Sequence, residues 1–392
     1  MKTLEPHYDY LIVGAGFSGV VLAERLSTQL GKRCLIVDRR PHVAGNCYDQ
    51  VDEHGVLVHR YGPHYFRTNS QRVIDYLSRF TEWLPMSYQI KSWTHGRYWN
   101  FPVNLNTFEQ IIGRPSTEAE FRAYLEERRV PIQNPKNSED VIVSQVGREL
   151  FEMFFKGYTF KQWRKYPHEL DASVCARIPI RFDRDDRYLK EQFQALPAKG
   201  YTQVINRMLE SCHGVDVLLS ADFREVKNQV SYSKLIYTGP LDEYFDHRFG
   251  VLPYRSLRFE WQGFEEHELA DRLPIAGKKG FWQPAVQVNY PNDHGFTRIV
   301  EAKHITGQTI GNTTIVREYP EDYALGKEPY YPVPTGDAQI QFAKYRDLSL
   351  TEKDTIFAGR LATYRYLNMD QIVEEALKLF DAIKSEFVSR AA

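Results

Sequence analysis

The chain has 392 residues, 42% of them hydrophobic, with 50 Lys and Arg against 51 Asp and Glu. That length supplies material for two or three cores. The near-zero net charge gives no bulk reason to expect a nucleic-acid or membrane surface. Four cysteines, Cys34, Cys47, Cys175 and Cys212, lie far apart without metal-ligand spacing. No metal site is therefore expected, and Cys34 reads as a small core residue. No run approaches membrane-spanning length, and only a few polar residues precede the first apolar strand, so a cytoplasmic, reducing setting is expected.

Taken in chain order, the first element is the apolar run Tyr8-Asp9-Tyr10-Leu11-Ile12-Val13, which reads as a buried parallel strand. It feeds into Gly14-Ala15-Gly16-Phe17-Ser18-Gly19, and residues 20–30 then read as a helix. Strand, Gly-x-Gly-x-x-Gly and helix in that order place free backbone N–H groups where a pyrophosphate is held. Gly14 permits the turn, Gly16 the close approach, and Gly19 the packing of helix on strand. The next strand, 33–37, ends in Asp38, placed to accept from a ribose. The alternative for the glycine pattern is a close-packed βαβ unit without ligand.

After Asp38 comes Arg39-Arg40-Pro41-His42-Val43-Ala44-Gly45-Asn46, and two later strands, 234–240 and 355–360, end at Thr238-Gly239 and Gly359. This series resembles the FAD-binding domain of flavoproteins of the glutathione-reductase and amine-oxidase type. In that group the residue after the last glycine is usually Asp; here it is Arg360, whose guanidinium suits phosphate or ribityl oxygens. Ordinary turn chemistry also accounts for Thr238-Gly239 and Gly359. No second Gly-x-Gly-x-x-Gly follows a later strand, which counts against a reductase binding NAD(P)H in its own domain.

The expected fold class is α/β. A discontinuous Rossmann-like FAD domain comprises 1–75, 195–245 and 335–392. Residues 105–178 form a helical domain, and 76–104, 179–194 and 246–334 an antiparallel-sheet substrate domain, with β-type alternation around 254–259, 285–290, 297–301 and 313–318.

Longer motifs are more specific. His59-Arg60-Tyr61-Gly62-Pro63-His64-Tyr65-Phe66-Arg67-Thr68-Asn69, Lys156-Gly157-Tyr158-Thr159-Phe160-Lys161-Gln162-Trp163, Arg177-Ile178-Pro179-Ile180-Arg181-Phe182, Glu328-Pro329-Tyr330-Tyr331-Pro332-Val333 and Gly359-Arg360-Leu361-Ala362-Thr363-Tyr364-Arg365-Tyr366 together resemble the bacterial UDP-galactopyranose mutase family. The resemblance spans nearly the whole chain. It implies an isomerase interconverting UDP-galactopyranose and UDP-galactofuranose without net oxidation. In the family mechanism, N5 of reduced FAD attacks the anomeric carbon and displaces UDP. The product would feed a galactofuranose-containing surface polysaccharide.

The resemblance also assigns residues. Arg177 and Arg298 would hold the diphosphate, with His64 beside the flavin. The cofactor would contact Gly14, Gly16, Phe17, Ser18, Gly19, Asp38, Arg39, Gly45, Asn46, Tyr61, Gly62, Gly239, Gly359, Arg360, Leu367, Asn368 and Met369. Phe154, Phe155, Tyr158 and Thr159 would serve the uridine, the aromatics among them also reading as a core stripe at helical spacing; Trp163, a further substrate residue, begins the polar stretch that follows. Tyr188, Arg255, Asn289, Tyr331 and Tyr366 complete the substrate set. Glu318 matches a family acid near the sugar, or reads as a carboxylate buried against an Arg. The polar stretch 164–171 suits a loop closing over substrate. Other expectations are a cellular flavin reductant such as NAD(P)H or a reductase, and a homo-oligomer without nucleic acid or a membrane span.

Three positions depart from the family pattern. Asn368 stands where an Asp is common, Met86 where many relatives carry an Asn, and Ala44 where the turn usually has Gly. Two rival readings are an amine-oxidase-like redox enzyme and a flavin-free relative of GDP-dissociation inhibitors. Neither needs the arginine and tyrosine set.

Overall fold

The computed structural model describes residues 5–176, 178–270, 280–333 and 335–391. Arg177 therefore lies outside the described residues. A five-stranded parallel sheet runs in the order Val215–Leu219, Cys34–Asp38, His7–Val13, Ser231–Tyr237, Thr355–Phe357. Its central strand is buried on both faces: Tyr10 and Ile12 join one core cluster, and Leu11 joins a second with Val13 packed on it. A near-continuous apolar run is what a sheet covered on both faces requires. The helix Phe17–Leu30 packs beside the long helix Met369–Ala391. It starts three residues earlier than the sequence pattern indicates, because the glycine turn is already complete at Gly16.

Register matters more than order. Val37, Val13, Tyr237 and Phe357 lie in one row across four strands. Asp38, Gly14, Thr238 and Ala358 therefore follow side by side at the carboxyl edge of the sheet, where ligands bind in open α/β sheets.

The second sheet has seven strands, in the order Tyr331–Pro332, Tyr254–Phe264, Thr313–Asp322, Arg298–Val300, Gln287–Asn289, Ile90–Thr94, Arg97–Phe101. It is antiparallel as expected from the alternation, except that Gln287–Asn289 runs parallel to Ile90–Thr94. The helical part contains Leu105–Ile112, Glu118–Arg128, Ser138–Phe151 and Gly157–Trp163. Asn104, Thr117 and Asn137 cap the first three through side-chain oxygens, each worth about 1 kcal/mol. Between the last two helices, Glu152–Lys156 forms a π-helical segment, a feature frequent at functional sites.

Candidate functional site

One cavity of about 1520 Å³ joins the carboxyl edge of the parallel sheet to the face of the larger sheet. Its size exceeds the usual 300–1,000 Å³ of a single-ligand site, leaving room for two sizeable ligands. Apart from Gly19, Met86, Trp163, Arg255 and Glu318, and with Arg177 undescribed, the residues singled out from the sequence as site candidates line it.

The parallel-sheet end is built from backbone. Gly14 has φ +107°, and a Cβ there would lie 2.1 Å from Thr238 Oγ1. Gly16 begins the first helix without a side-chain cap, and no acid occupies the first turn. Its N–H groups and the positive end of the helix dipole thus stay available to an anion. Gly45 closes the other wall: a Cβ on it would meet the Gly16 Cα at 3.1 Å. Asp38 is oriented by two amides, Oδ2 accepting from Ala15 N at 2.8 Å and Oδ1 from Arg40 N at 2.9 Å. Ala44 takes the left-handed φ of +74°, the conformation that explains why a Gly is usual there. Gly19 does not line the cavity, and its geometry fits the packing role read from the motif. A Cβ on it would stand 2.1 Å from the Gly14 carbonyl oxygen, so it serves helix-on-strand packing.

His64 sits between the two ends. Its Nδ1 lies 2.7 Å from the Gly62 carbonyl oxygen; a carbonyl only accepts, so Nδ1 carries the proton and Nε2 is left as an acceptor. The His64 N–H donates to His59 Nδ1 at 3.0 Å, which assigns His59 the opposite tautomer. Burial pushes His59 down to about 4, and burial together with His59 pushes His64 down to about 3. Both are neutral imidazoles at ordinary pH.

The larger sheet supplies the charged edge. Asn289 pairs with Arg298, and Arg298 with Glu318, in one cross-strand row, so their side chains share a face. Arg298 Nη2 approaches Glu318 to 2.7 Å, with the carboxylate 1% exposed. Burial works against the Arg298 charge, but Glu318 and the phenols of Tyr158, Tyr331 and Tyr88 hold its pKa well above the ordinary range. Among the described residues Arg298 Nε has no acceptor, leaving a buried donor for a ligand.

Gln287, two residues before Asn289 on the same strand face, donates to Asn289 Oδ1 at 2.7 Å and accepts from Tyr88 Oη at 2.8 Å. That fixes the Asn289 amide with its own N–H groups turned from Gln287. Gln287 was not singled out from the sequence, although the period of two from Asn289 points to it. Tyr65, Arg67 and Phe101 also line the cavity. The first two lie inside the quoted 59–69 motif; no local pattern marks Phe101.

An aromatic wall faces this row. Phe101 lies 6.0 Å from Phe154, 5.7 Å from Phe155 and 6.4 Å from Tyr188, between ring centroids. Phe154 and Phe155 are buried in the core and also border the cavity. Tyr331 and Tyr366 stand 5.7 Å apart, with the Arg360 guanidinium 5.7 Å from the Tyr331 ring. Arg255 turns away: it is buried, pairs with Asp322 across the strand, and does not line the cavity. Trp163 ends its helix at Arg164, which takes φ +54°, and stays outside the cavity. Met86 packs against the main core, away from the lining, whereas Asn368 lines it.

A family model described as UDP-galactopyranose mutase matches residues 153–366, and one described as an NAD(P)-binding Rossmann-like domain matches 12–80. A probable UDP-galactopyranose mutase of Klebsiella pneumoniae is 36% identical over 98% of this chain and 96% of its own. A dTDP-fucopyranose mutase of Escherichia coli is 32% identical over 94% and 96%. A crystal structure of reduced UDP-galactopyranose mutase superposes with TM-score 0.73 at 19% identity, covering 96% of both chains. Putrescine oxidase superposes with TM-score 0.57 at 14% identity, over 97% of this chain and 99% of its own. These two speak to fold alone.

Proposed function

This chain belongs to the UDP-galactopyranose mutase family, and on that premise we propose that it interconverts UDP-galactopyranose and UDP-galactofuranose with FAD held in reduced form. The carrying observation is that one cavity joins a backbone cradle for a dinucleotide to the Asn289–Arg298 edge, with Glu318 paired to Arg298 behind it. The cradle fits FAD on its own features: an uncapped helix start, and glycines whose Cβ atoms would fill the approach. Gly14, Gly16 and Gly45 would admit the pyrophosphate, Asp38 the adenosine ribose, and Leu367, Asn368 and Met369 the flavin end. Reduced FAD supplies a nucleophilic nitrogen, N5, for the anomeric carbon, with no net redox change.

The chain's own groups do the rest. Arg298 offers its free Nε to the departing diphosphate, and an attraction of roughly 4 kcal/mol per charge pair at ~4 Å helps the bond to UDP break. Arg177 is proposed as the second cation. Neutral His64 offers a lone pair without a positive charge that would compete with the arginines for the diphosphate. Phenols of Tyr331 and Tyr366 donate without the cost of desolvating an ion, and the Phe154–Tyr158 wall offers a flat partner for the uracil ring. Asn368 keeps a hydrogen-bonding amide without charge, so the reaction here needs no acid at that position.

The discontinuous domain division, a cellular flavin reductant, a homo-oligomer and a cytoplasmic location complete the reading. The similarity to a dTDP-fucopyranose mutase favours dTDP-fucopyranose as the second substrate reading. The test is anaerobic incubation of the reduced flavoprotein with UDP-galactofuranose or dTDP-fucopyranose, alongside Arg298→Ala. Ring-isomerised product formed only after reduction, and lost in the variant, is expected. An oxidised sugar, or equal turnover by the oxidised protein, would refute it.

A further inference from the structure

The helix segment carrying Phe154 and Tyr158 and the hairpin carrying Asn289 and Arg298 come from different layers, yet they are joined at the hairpin turn. Lys161, three residues after Tyr158, sends Nζ to the carbonyl oxygens of Tyr290 at 2.6 Å, Asp293 at 2.6 Å and Phe296 at 3.3 Å. An ammonium has three N–H donors, and all are used on this one turn. Its anchor points flank the site, since Tyr290 directly follows Asn289 and Phe296 stands two residues before Arg298.

Two further fittings act at the same place. Asn292 Nδ2 donates to Met153 O at 3.1 Å and Glu152 O at 3.4 Å, both in the π segment, and to Thr94 Oγ1 at 3.2 Å. Gly157 admits the turn, because a Cβ there would lie 2.4 Å from the Pro291 carbonyl oxygen.

We propose that Lys161, together with Asn292 and Gly157, is a positioning clamp that sets the span between the aromatic wall and the Asn289–Arg298 edge, so that one nucleoside diphosphate reaches both. The inference rests on the functional reading above. A nucleoside diphosphate has a base at one end and charge at the other, so a shift between their walls weakens one of the two contacts, and each 1.4 kcal/mol lost is about tenfold in affinity. Lys161 reaches no reacting atom; it acts through the turn.

The clamp also carries a signature in pH. Burial pushes the Lys161 ammonium down to about 8, against the raising effect of Asp293 in the turn. Of the other charged groups on these segments, Glu152 and Lys156 pair with each other at 3.3 Å, and His294 stacks on Phe296. The cation is present below pH 8 and lost above it, when three donors to the turn become fewer and weaker.

The experiment compares wild type, Lys161→Met, Lys161→Arg and Asn292→Ala as holo-flavoproteins, titrated with UDP and assayed for KM and kcat from pH 6.5 to 9.5. Lys161→Met should raise the UDP Kd and the KM about tenfold at pH 7, with kcat and the flavin absorbance spectrum nearly unchanged. Asn292→Ala should move KM the same way. Wild-type UDP affinity should fall above pH 8, and Lys161→Arg, which keeps its charge, should lose that fall. If Lys161→Met does not fold, the Lys161→Arg profile decides. Unchanged UDP affinity in Lys161→Met, or the same alkaline fall in Lys161→Arg, overturns the clamp alone. A wild-type holoprotein that binds no UDP at any pH overturns the clamp and the functional reading together.

Discussion

Replacing Glu318 by Gln separates the two tasks of the Arg298–Glu318 pair, structural neutrality and readiness for an anion. The carboxylate is 1% exposed and the Arg298 side chain 17%, with 2.7 Å between them. At an effective dielectric near 20, charges that close attract by ~6 kcal/mol before desolvation is subtracted. Removing one partner of such a buried pair costs about 3–5 kcal/mol, because the remaining charge stays uncompensated. The Gln amide keeps the shape and one acceptor for Nη2, so about 3 kcal/mol is the expected loss. The same variant leaves Arg298 without a counter-charge, which the diphosphate of UDP would supply. Thermal unfolding of both holoproteins, with and without UDP, reads both effects. The variant should melt several degrees lower and be stabilised more by UDP than wild type is. An unchanged midpoint would refute the structural argument, and a smaller UDP shift would refute the electrostatic one.

Gly14→Ala should yield protein largely without flavin, since a Cβ would press on Thr238 Oγ1 at 2.1 Å with φ at +107°; normal flavin absorbance after purification would contradict this. Gln287→Leu should weaken UDP binding by roughly 5- to 30-fold, the equivalent of about 1–2 kcal/mol, because Asn289 loses its orienting donor and Tyr88 its acceptor; calorimetric titration gives the answer. The histidines set an acid dependence. With His64 near 3 and His59 near 4 when folded, the unfolded chain binds protons below about 6.5 that the folded one refuses. Stability should be complete above that pH and fall toward pH 4 by up to about 1.4 kcal/mol per unit for each histidine. Equal denaturant midpoints at pH 7 and pH 5 would refute the lowered pKa values of these two histidines.

Local rules made half of the site legible. The Gly14–Gly19 turn, the apolar strand before it and Asp38 at the next strand end follow from conformational limits acting over a few residues. The period of two marks Gln287–Asn289 and Arg298–Val300 as strands and implies that Gln287 faces as Asn289 does. Arg255 shows where local pattern fails: it alternates correctly on its strand, yet its Nη1 pairs with Asp322 across the ladder and the residue lies outside the cavity lining. Gly19 shows the reverse, since the packing role that its place in the motif implies is the one its close approach to Gly14 fits.

By itself, then, the order of residues determined the dinucleotide cradle, the helical and β-rich segments, and the kinship of the chain. Only the tertiary structure decided that Asn289, Arg298 and Glu318 stand in one row, that His64 is held neutral, and that Lys161 ties the aromatic wall to that row. The physical reason is range: turns and periodicity act between neighbours in sequence. Cross-strand register, desolvation and an ammonium reaching three carbonyls more than a hundred residues away exist only once distant segments have packed.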